Sequence, residues 1–375
     1  MTAKRRGEAV GAGGAERQGG SCPEPSFISI SARVLVNVEA MNMVESLGNV
    51  VRHRKASVIY KTGPGRYELR TVPVISGEAL RHAIQARLAD LASRMGLPVC
   101  DDCRRHEFVK HGVVSLLGDL RSQLEEAAKR RLADAEARIV ELCVVEDVGG
   151  FLSPLETPVK RTSVLEVGYM VPVIHGGRPL YGFDVQFHVR HAPNAQRALR
   201  SRGEEQAQAI YNIESSSALY ALGVNVELWR IGAVPADGGC IVMNDREKRL
   251  RAALISIIDV LVGNSRVGGH WSSFKPLWSL DSAVAVFSKP MPIAAAPAVD
   301  EEYQKRTVDL ASSKAEVYRE VLGEVSYSVL IYPAERDGGG AEEGQGDAVE
   351  RVGDLGEFIK KFVELGVEYA GYSQR

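Results

Sequence analysis

The chain has 375 residues, 45% of them hydrophobic, which is enough for one large or two modest folded units with a sizeable core. Lys and Arg number 46 against 48 Asp and Glu, a formal charge of −2, so the chain as a whole does not declare a polyanion partner. With no apolar run of about 18 residues and no apolar leader, and with five unevenly spaced cysteines that argue against a disulfide framework, it reads as a soluble cytoplasmic protein with reduced thiols.

Charge is unevenly spread. Residues 26 to 89 hold nine Lys or Arg and four Glu, whereas residues 334 to 375 hold five and ten, so a basic surface is expected beside an acidic tail. Residues 1 to 25 are rich in Gly, Ala and Arg and carry too few large apolar side chains to offset ordering entropy, which predicts a disordered arm. FISISARVLVNV, Phe27 to Val38, alternates as a first strand does. After Met41 and Met43, which suit core packing, a turn at Gly48-Asn49 leads into Arg52, His53, Arg54 and Lys55. These are side chains able to grip phosphates, or to form a solvated basic loop.

A hairpin turning at Gly63-Pro64-Gly65 leads to VPVISGEALRHAI, Val72 to Ile84, a strand-to-helix corner. Ser76 fits an N-cap, Glu78 the positive end of the helix dipole, and Gly77 a close approach of backbone or phosphate. Leu80, Ile84, Leu88, Leu91 and Met95 form the apolar stripe, with Arg81, His82, Gln85 and Arg87 largely opposite. Next, LPVCDDCRRHEFVKHG offers Cys100, Cys103, His106 and His111. The residue types suit tetrahedral zinc, but the spacing matches no common finger and no second Cys-x-x-Cys follows. The expectation is a thiol-bearing turn without metal, these four being the set that would hold zinc if one bound.

Residues 119 to 140 read as a charged helix with a solvated face. Val164 to Ile174 and Tyr181 to Val189 read as two strands around a His-Gly-Gly-Arg-Pro turn, preceded by Lys160, Arg161 and Thr162, a cluster suited to a phosphate backbone. Residues 193 to 206 form a polar connection. Strand-like Ile210 to Ile231 is followed by a second amphipathic helix, Asn244 to Gly263, with Leu250, Leu254, Ile257, Ile258 and Leu261 as its buried stripe. A Gly-rich loop with Arg266, His270, Trp271, Phe274 and Lys275 then suits a sugar-phosphate chain with a stackable base. A strand from Leu277, a helix near 301 to 320, a strand from Val325 and a short acidic helix, Leu355 to Tyr369, complete an α+β arrangement.

Taken together, GNVVRHRK, VPVISGEALRHAI, CDDC with FVKH, PVKRTSVLEVGYMVP, SSALYALGV and GNSRVGG resemble the CRISPR-associated backbone subunit of the DevR-like autoregulator family, in its archaeal type I-A form, from about residue 27 to 333. The resemblance implies a modified RNA-recognition-motif (ferredoxin-like) core, residues 26–95 and 208–333, with an inserted helical lobe at 96–147 and a β-hairpin thumb with its connection at 148–207. An acidic linker and C-terminal helix at 334–375 lie outside it. It implies a non-catalytic protein that stacks in copies along CRISPR RNA beside other interference-complex subunits, holding the sugar-phosphate chain while the bases pair with target DNA; no cofactor is implied. Carried over by residue, the RNA contacts are Asn49, Arg52, His53 and Arg54, then Ser76, Gly77, Arg81 and His82, then Lys160, Arg161 and Thr162, and finally Arg266 and His270. The first strand offers only Phe27 for stacking. The rival reading is an endoribonuclease that processes CRISPR precursor RNA with His53, His82 or His270 as the proton-transfer group.

Overall fold

The computed structural model describes residues 18–48, 50–189, 210–263, 267, 278–333, 342–344 and 347–372. Strand β1 (Phe27–Glu39) is the spine. Its alternation puts Ile28, Ile30, Ala32, Val34 and Val36 on one face, all at most 1% exposed, while Arg33 on the other face donates to the carbonyls of Ala298 and Asp300. The chain continues through β2 (Met43–Leu47), β3 (Val50–His53) and the long hairpin β4 (Lys55–Gly63) and β5 (Arg66–Pro73) to helix α1 (Gly77–Arg94).

A lobe follows. Its helices α2 (Leu120–Arg130) and α3 (Leu132–Leu142) break at Arg131, whose backbone is extended, so the single charged helix expected there is two. Leu124, Ile139 and Val140 pack with Phe151, Val234, Ile241 and Met243 into a core of the lobe's own. Helix α4 (Val144–Gly149) returns the chain to short strands β6 (Leu165–Val167) and β7 (Val171–Pro172), then β8 (Tyr181–Val189) and the long β9 (Ile210–Glu227). Helix α5 (Arg246–Leu261), β10 (Trp278–Lys289), α6 (Tyr303–Leu322), β11 (Ser326–Tyr332), β12 (Asp347–Arg351) and α7 (Leu355–Tyr369) complete it.

The main sheet is mixed, in the order β12-β11-β10-β1-β9-β3-β2, with β6, β7 and β8 also antiparallel to β9. Helices α1, α5 and α7 cover one face, where Leu80, Leu88, Leu250, Leu254, Phe358 and Phe362 join the inward side chains of β1. Each such leucine contributes about 1.5–3 kcal/mol through burial. Helix α6 covers part of the other face through Tyr303, Ala311 and Ala315.

Two expectations are corrected. Tyr181–Val189 pairs with Ile210–Ala218 and not with the strand before the Gly176-Gly177 turn. That turn closes only the two-residue ladder Ile174-His175 with Arg178-Pro179. The thiols are also not all free: Cys22 and Cys240 are disulfide-bonded across 218 residues, tying the segment that carries the strand Gln18–Gly20 to the strand Gly239–Val242 with which it pairs. An odd cysteine count permits one such pair, and the separation conceals it. Among the described residues no helix is long and apolar enough to cross a membrane.

Candidate nucleic-acid interface

The basic loop and the helix corner, some twenty residues apart in sequence, meet at Asn42. The Asn42 carbonyl accepts from Arg54 N at 2.7 Å, and its side-chain Oδ1 accepts from Ser76 N at 2.8 Å. Val74 N donates to the Arg54 carbonyl at 3.0 Å, closing the join. Sequence reasoning passed over Asn42, whose only signal is a polar residue between Met41 and Met43; it is 9% exposed, and both its carbonyl and its Oδ1 accept.

A second unforeseen residue is Glu214 on β9. Its Oε1 accepts from Lys55 Nζ at 2.6 Å and its Oε2 from His53 N at 2.9 Å. Burial acts to raise this carboxyl, but the Lys55 and His53 hydrogen bonds and the charges of Lys55 and Arg52 outweigh it and hold it below the ordinary carboxylate value. Glu214 thus anchors the base of a cationic strip. Arg54 and Arg52 are half-buried, and the Arg54 Nε is buried with no partner among the described residues.

His53 itself leaves the expected contact set. It is 2% exposed; Nδ1 donates to the Arg54 carbonyl at 2.9 Å and Nε2 accepts from Ser216 Oγ at 3.2 Å, which in turn bonds the Tyr220 hydroxyl at 2.9 Å. Both ring nitrogens are used, which fixes one neutral tautomer. Burial, the largest influence, pushes the imidazole below its ordinary pKa. The unfolded chain therefore binds the extra proton more readily. The stabilisation is present above the unfolded value of about 6.5 and is lost as pH falls through that value toward the folded one. We expect His53→Gln to flatten the pH dependence of the urea midpoint between about pH 7 and 5, by at most about 1.4 kcal/mol per pH unit. An unchanged slope would mean that the ring is not buried neutral.

At the corner, Ser76 caps α1, accepting from Ala79 N at 3.3 Å, and is buried. Gly77 is also buried, and a Cβ built on it would overlap the Val167 carbonyl. The close approach that glycine permits is made by the protein's own backbone, so neither residue presents itself to a phosphate as expected. Arg81 and His82 emerge beyond it, half-buried and exposed. His82 packs edge-on against Phe108 at 4.8 Å, and burial, then His106 and Lys110, lower its pKa.

The segment before β6 divides by strand alternation. Lys160 and Thr162 are exposed, but the Arg161 side chain is wholly enclosed. It donates to Asp147 Oδ1 at 2.7 Å, Glu136 Oε1 at 2.8 Å and the carbonyls of Asp147 and Arg230. Asp147 also accepts from Gly232 N at 2.8 Å and from Arg249, making a buried charge network at the lobe's base. With every nitrogen engaged, Arg161 also leaves the expected phosphate contacts. Asn49, Arg266 and His270 lie outside the described residues.

Of the four expected zinc ligands, two meet. The Cys100 and Cys103 thiols lie with Cys143 and Glu146, all ligand atoms within 4.8 Å of one another, and His111 Nδ1 bonds the Glu146 carboxylate at 2.7 Å. His106 points elsewhere, to Asp90 at 2.9 Å.

Residues 30–308 match the family model described as CRISPR-associated negative auto-regulator DevR/Csa2. The chain belongs to the DevR/Csa2 family. It is 38% identical over 290 residues to the CRISPR-associated aCascade subunit Cas7/Csa2 2 of Saccharolobus solfataricus, covering 75% of this chain and 85% of that one. It is 30% identical over 313 residues to the CRISPR-associated protein Cas7/Csa2 1 of the same organism, covering 83% and 94%. A chain of a solved CRISPR RNA-guided surveillance complex aligns over 90% of this chain and 98% of its own at 14% identity and a TM-score of 0.43, too distant to weigh. The family-model match, residues 30–308, takes in the Asn42 join, the corner and the thiol cluster, so the family assignment rests on the fold-bearing body of the chain and not on an isolated motif.

Proposed function

We propose that this DevR/Csa2 protein is a non-catalytic RNA-binding subunit of a type I-A, Cascade-like interference complex. Copies line up along CRISPR RNA, gripping its sugar-phosphate chain and leaving the bases to pair with target DNA in antiviral defence inside the cell. The observation that carries the reading is the cationic strip at Asn42. There Arg52 and Lys55 adjoin Glu214, and half-buried Arg54 lies between them in sequence with its backbone fixed at the α1 corner. The half-buried Arg54 guanidinium has further N–H donors to offer, and a phosphate oxygen is the acceptor that a guide RNA brings. Exposed His82, Lys160 and Thr162 and half-buried Arg81 are further polar side chains available to the RNA. The order β10-β1-β9-β7, with α1 and α5 on one face and each crossing between strands of that set, is the βαββαβ arrangement and supports a ferredoxin-like, RNA-recognition-motif core.

Self-association is supported by apolar side chains on the two protruding hairpins. Ile59 and Leu69 are register partners on β4 and β5, 69% and 68% exposed, and Phe187 on β8 is 76% exposed. Ile59→Asp combined with Leu69→Asp is expected to convert RNA-bearing particles to single copies with the thermal midpoint unmoved. Particles of unchanged size would remove this hairpin from the subunit contact.

The nuclease reading is less supported, because His53 is enclosed while His82, His106 and His111 each pack on a different partner. The deciding experiment is size-exclusion chromatography with absorbance at two wavelengths, on protein produced with and without a CRISPR array, followed by sequencing of recovered RNA. Large particles holding intact spacer RNA are expected. RNA trimmed to uniform new ends by the purified protein would favour the nuclease, and a nucleic-acid-free single copy in both conditions would overturn the proposal.

A further inference from the structure

At the base of the helical lobe four ligand-type side chains meet, none of them a residue of the cationic strip. Cys100 caps the short helix Asp101–Arg104 and Cys103 lies within it, while Cys143 stands at the N-cap of α4 and Glu146 one turn on. Two helix starts therefore each present a pair of ligand-type side chains at i and i+3, one Cys-x-x-Cys and the other Cys-x-x-Glu. Val144 N, donating to the Pro98 carbonyl at 2.9 Å, holds the two starts together. Cys103, Cys143 and Glu146 are fully buried.

We propose that Cys100, Cys103, Cys143 and Glu146 bind one zinc ion, with His111 orienting the carboxylate. Tetrahedral zinc with Zn–S near 2.3 Å sets its ligand atoms about 3.8 Å apart or less. The four atoms here lie within 4.8 Å of one another, so sub-ångström movements of side chains on two short helix starts close the shell. Charge argues the same way. Glu146 is a wholly buried carboxylate, and besides His111 its recorded side-chain partner is the Cys100 thiol at 3.3 Å. A charged carboxylate held there is stabilised by a nearby cation, which His111 supplies in part and a metal ion would supply more fully. Three thiolates and a carboxylate exceed the charge of Zn²⁺ by two, and two basic groups adjoin them. His111 lies on the carboxylate, and the Lys110 ammonium, bonded to the Gly149 carbonyl at 3.0 Å, is close enough to interact with Cys103, Cys143 and Glu146. The loop bearing both has left-handed backbone at His106, Phe108, Lys110 and His111, a costly conformation for non-glycine residues that wraps the segment over the thiols.

The ion would clip the lobe where it leaves the core, after Leu97, to where it returns, at α4. That is a structural role, because the shell is closed by four protein ligands. A second Cys-x-x-Cys is the usual sequence signal, and here the partner pair is forty residues away with Glu in place of the last Cys.

Metal analysis of the full chain purified under reducing conditions without chelator is expected to return one zinc per chain. Replacement by cobalt should give the thiolate-to-metal charge-transfer band of three sulfurs and the strong visible bands of a four-coordinate site. Cys103→Ser should weaken zinc binding more than 100-fold on the scale of losing a ligand, and His111→Gln about 10–100-fold as a supporting residue. Cys240→Ser, which removes a thiol of the Cys22–Cys240 disulfide and none of the four ligands, should leave binding intact. If the variants fail to fold, the cobalt spectrum of the unaltered chain still decides. A reduced chain that takes up neither zinc nor cobalt, or a cobalt complex without the thiolate band, overturns the site. Loss of binding in His111→Gln with retention in Glu146→Gln overturns the choice of fourth ligand.

Discussion

Arg161→Ala should lower the unfolding free energy by about 3–5 kcal/mol, the cost of removing one partner from a buried ion pair. The reason lies in Asp147. Its two oxygens face Arg161, Arg249 and the Gly232 amide with no solvent access, and Glu136 loses its own partner on the same change. Arg249 alone, at 3.3 Å, leaves Oδ1 unanswered. A urea titration at fixed slope reads the loss directly. If the midpoint barely moves while RNA affinity collapses, Arg161 faces the guide after all and the network is incidental. Lys160→Ala, one residue earlier on an exposed position, should do the reverse, sparing stability and weakening RNA binding slightly.

Arg52→Ala with Arg54→Ala should cut RNA affinity at least about tenfold at moderate salt, each charge-assisted contact being worth about 1.5–3 kcal/mol. The loss should be equal for all guide sequences, since phosphate carries no base information. The slope of log affinity against log salt should shrink by about one per contact. The fold should survive, because Arg54 joins the Asn42 corner through its backbone N–H and carbonyl, which alanine retains. Binding titrations at several salt concentrations with unrelated guides check both points. A loss confined to some guides would place a base reader here, and an unchanged slope would remove both residues from the phosphate path.

Much of the scaffold was legible because burial imposes a period. The stripes of α1 and α5 appear at Leu80, Ile84 and Leu88 and at Leu250, Leu254, Ile257, Ile258 and Leu261, and β1 appears in its own alternation. What escaped notice depends on contacts between distant segments. β8 reads as one arm of a hairpin with the preceding strand because sequence proximity suggests it, yet its partner comes after a connection of some twenty residues. Cys22 finds Cys240, and Glu214 finds Lys55, over separations that no local pattern marks.

The interface was legible by residue type and less so by direction. RHRK alternates along β3 into β4, so its side chains cannot all face outward: His53 is buried, and Lys55 two residues on reaches the buried Glu214. KRT alternates in the same way, and Arg161 is the inward one. Reading the period of two at these clusters, as was natural for the hydrophobic runs, separates the residues that build the fold from those that face outward. The Ser76 corner taught a different lesson: a glycine that admits close approach does not say whose atoms approach, and here they belong to Val167.

Helix α7 completes the principal core from outside the matched family region. Its Phe358 and Phe362 sit unexposed, Phe362 against Phe287 of β10 at 5.7 Å, and Gly366 admits the Leu254 side chain of α5, although the family-model match ends at residue 308. A chain lacking this helix would leave that face of the sheet, Phe287 included, bare to water, and bare apolar surface of that kind invites association with whatever greasy partner is near.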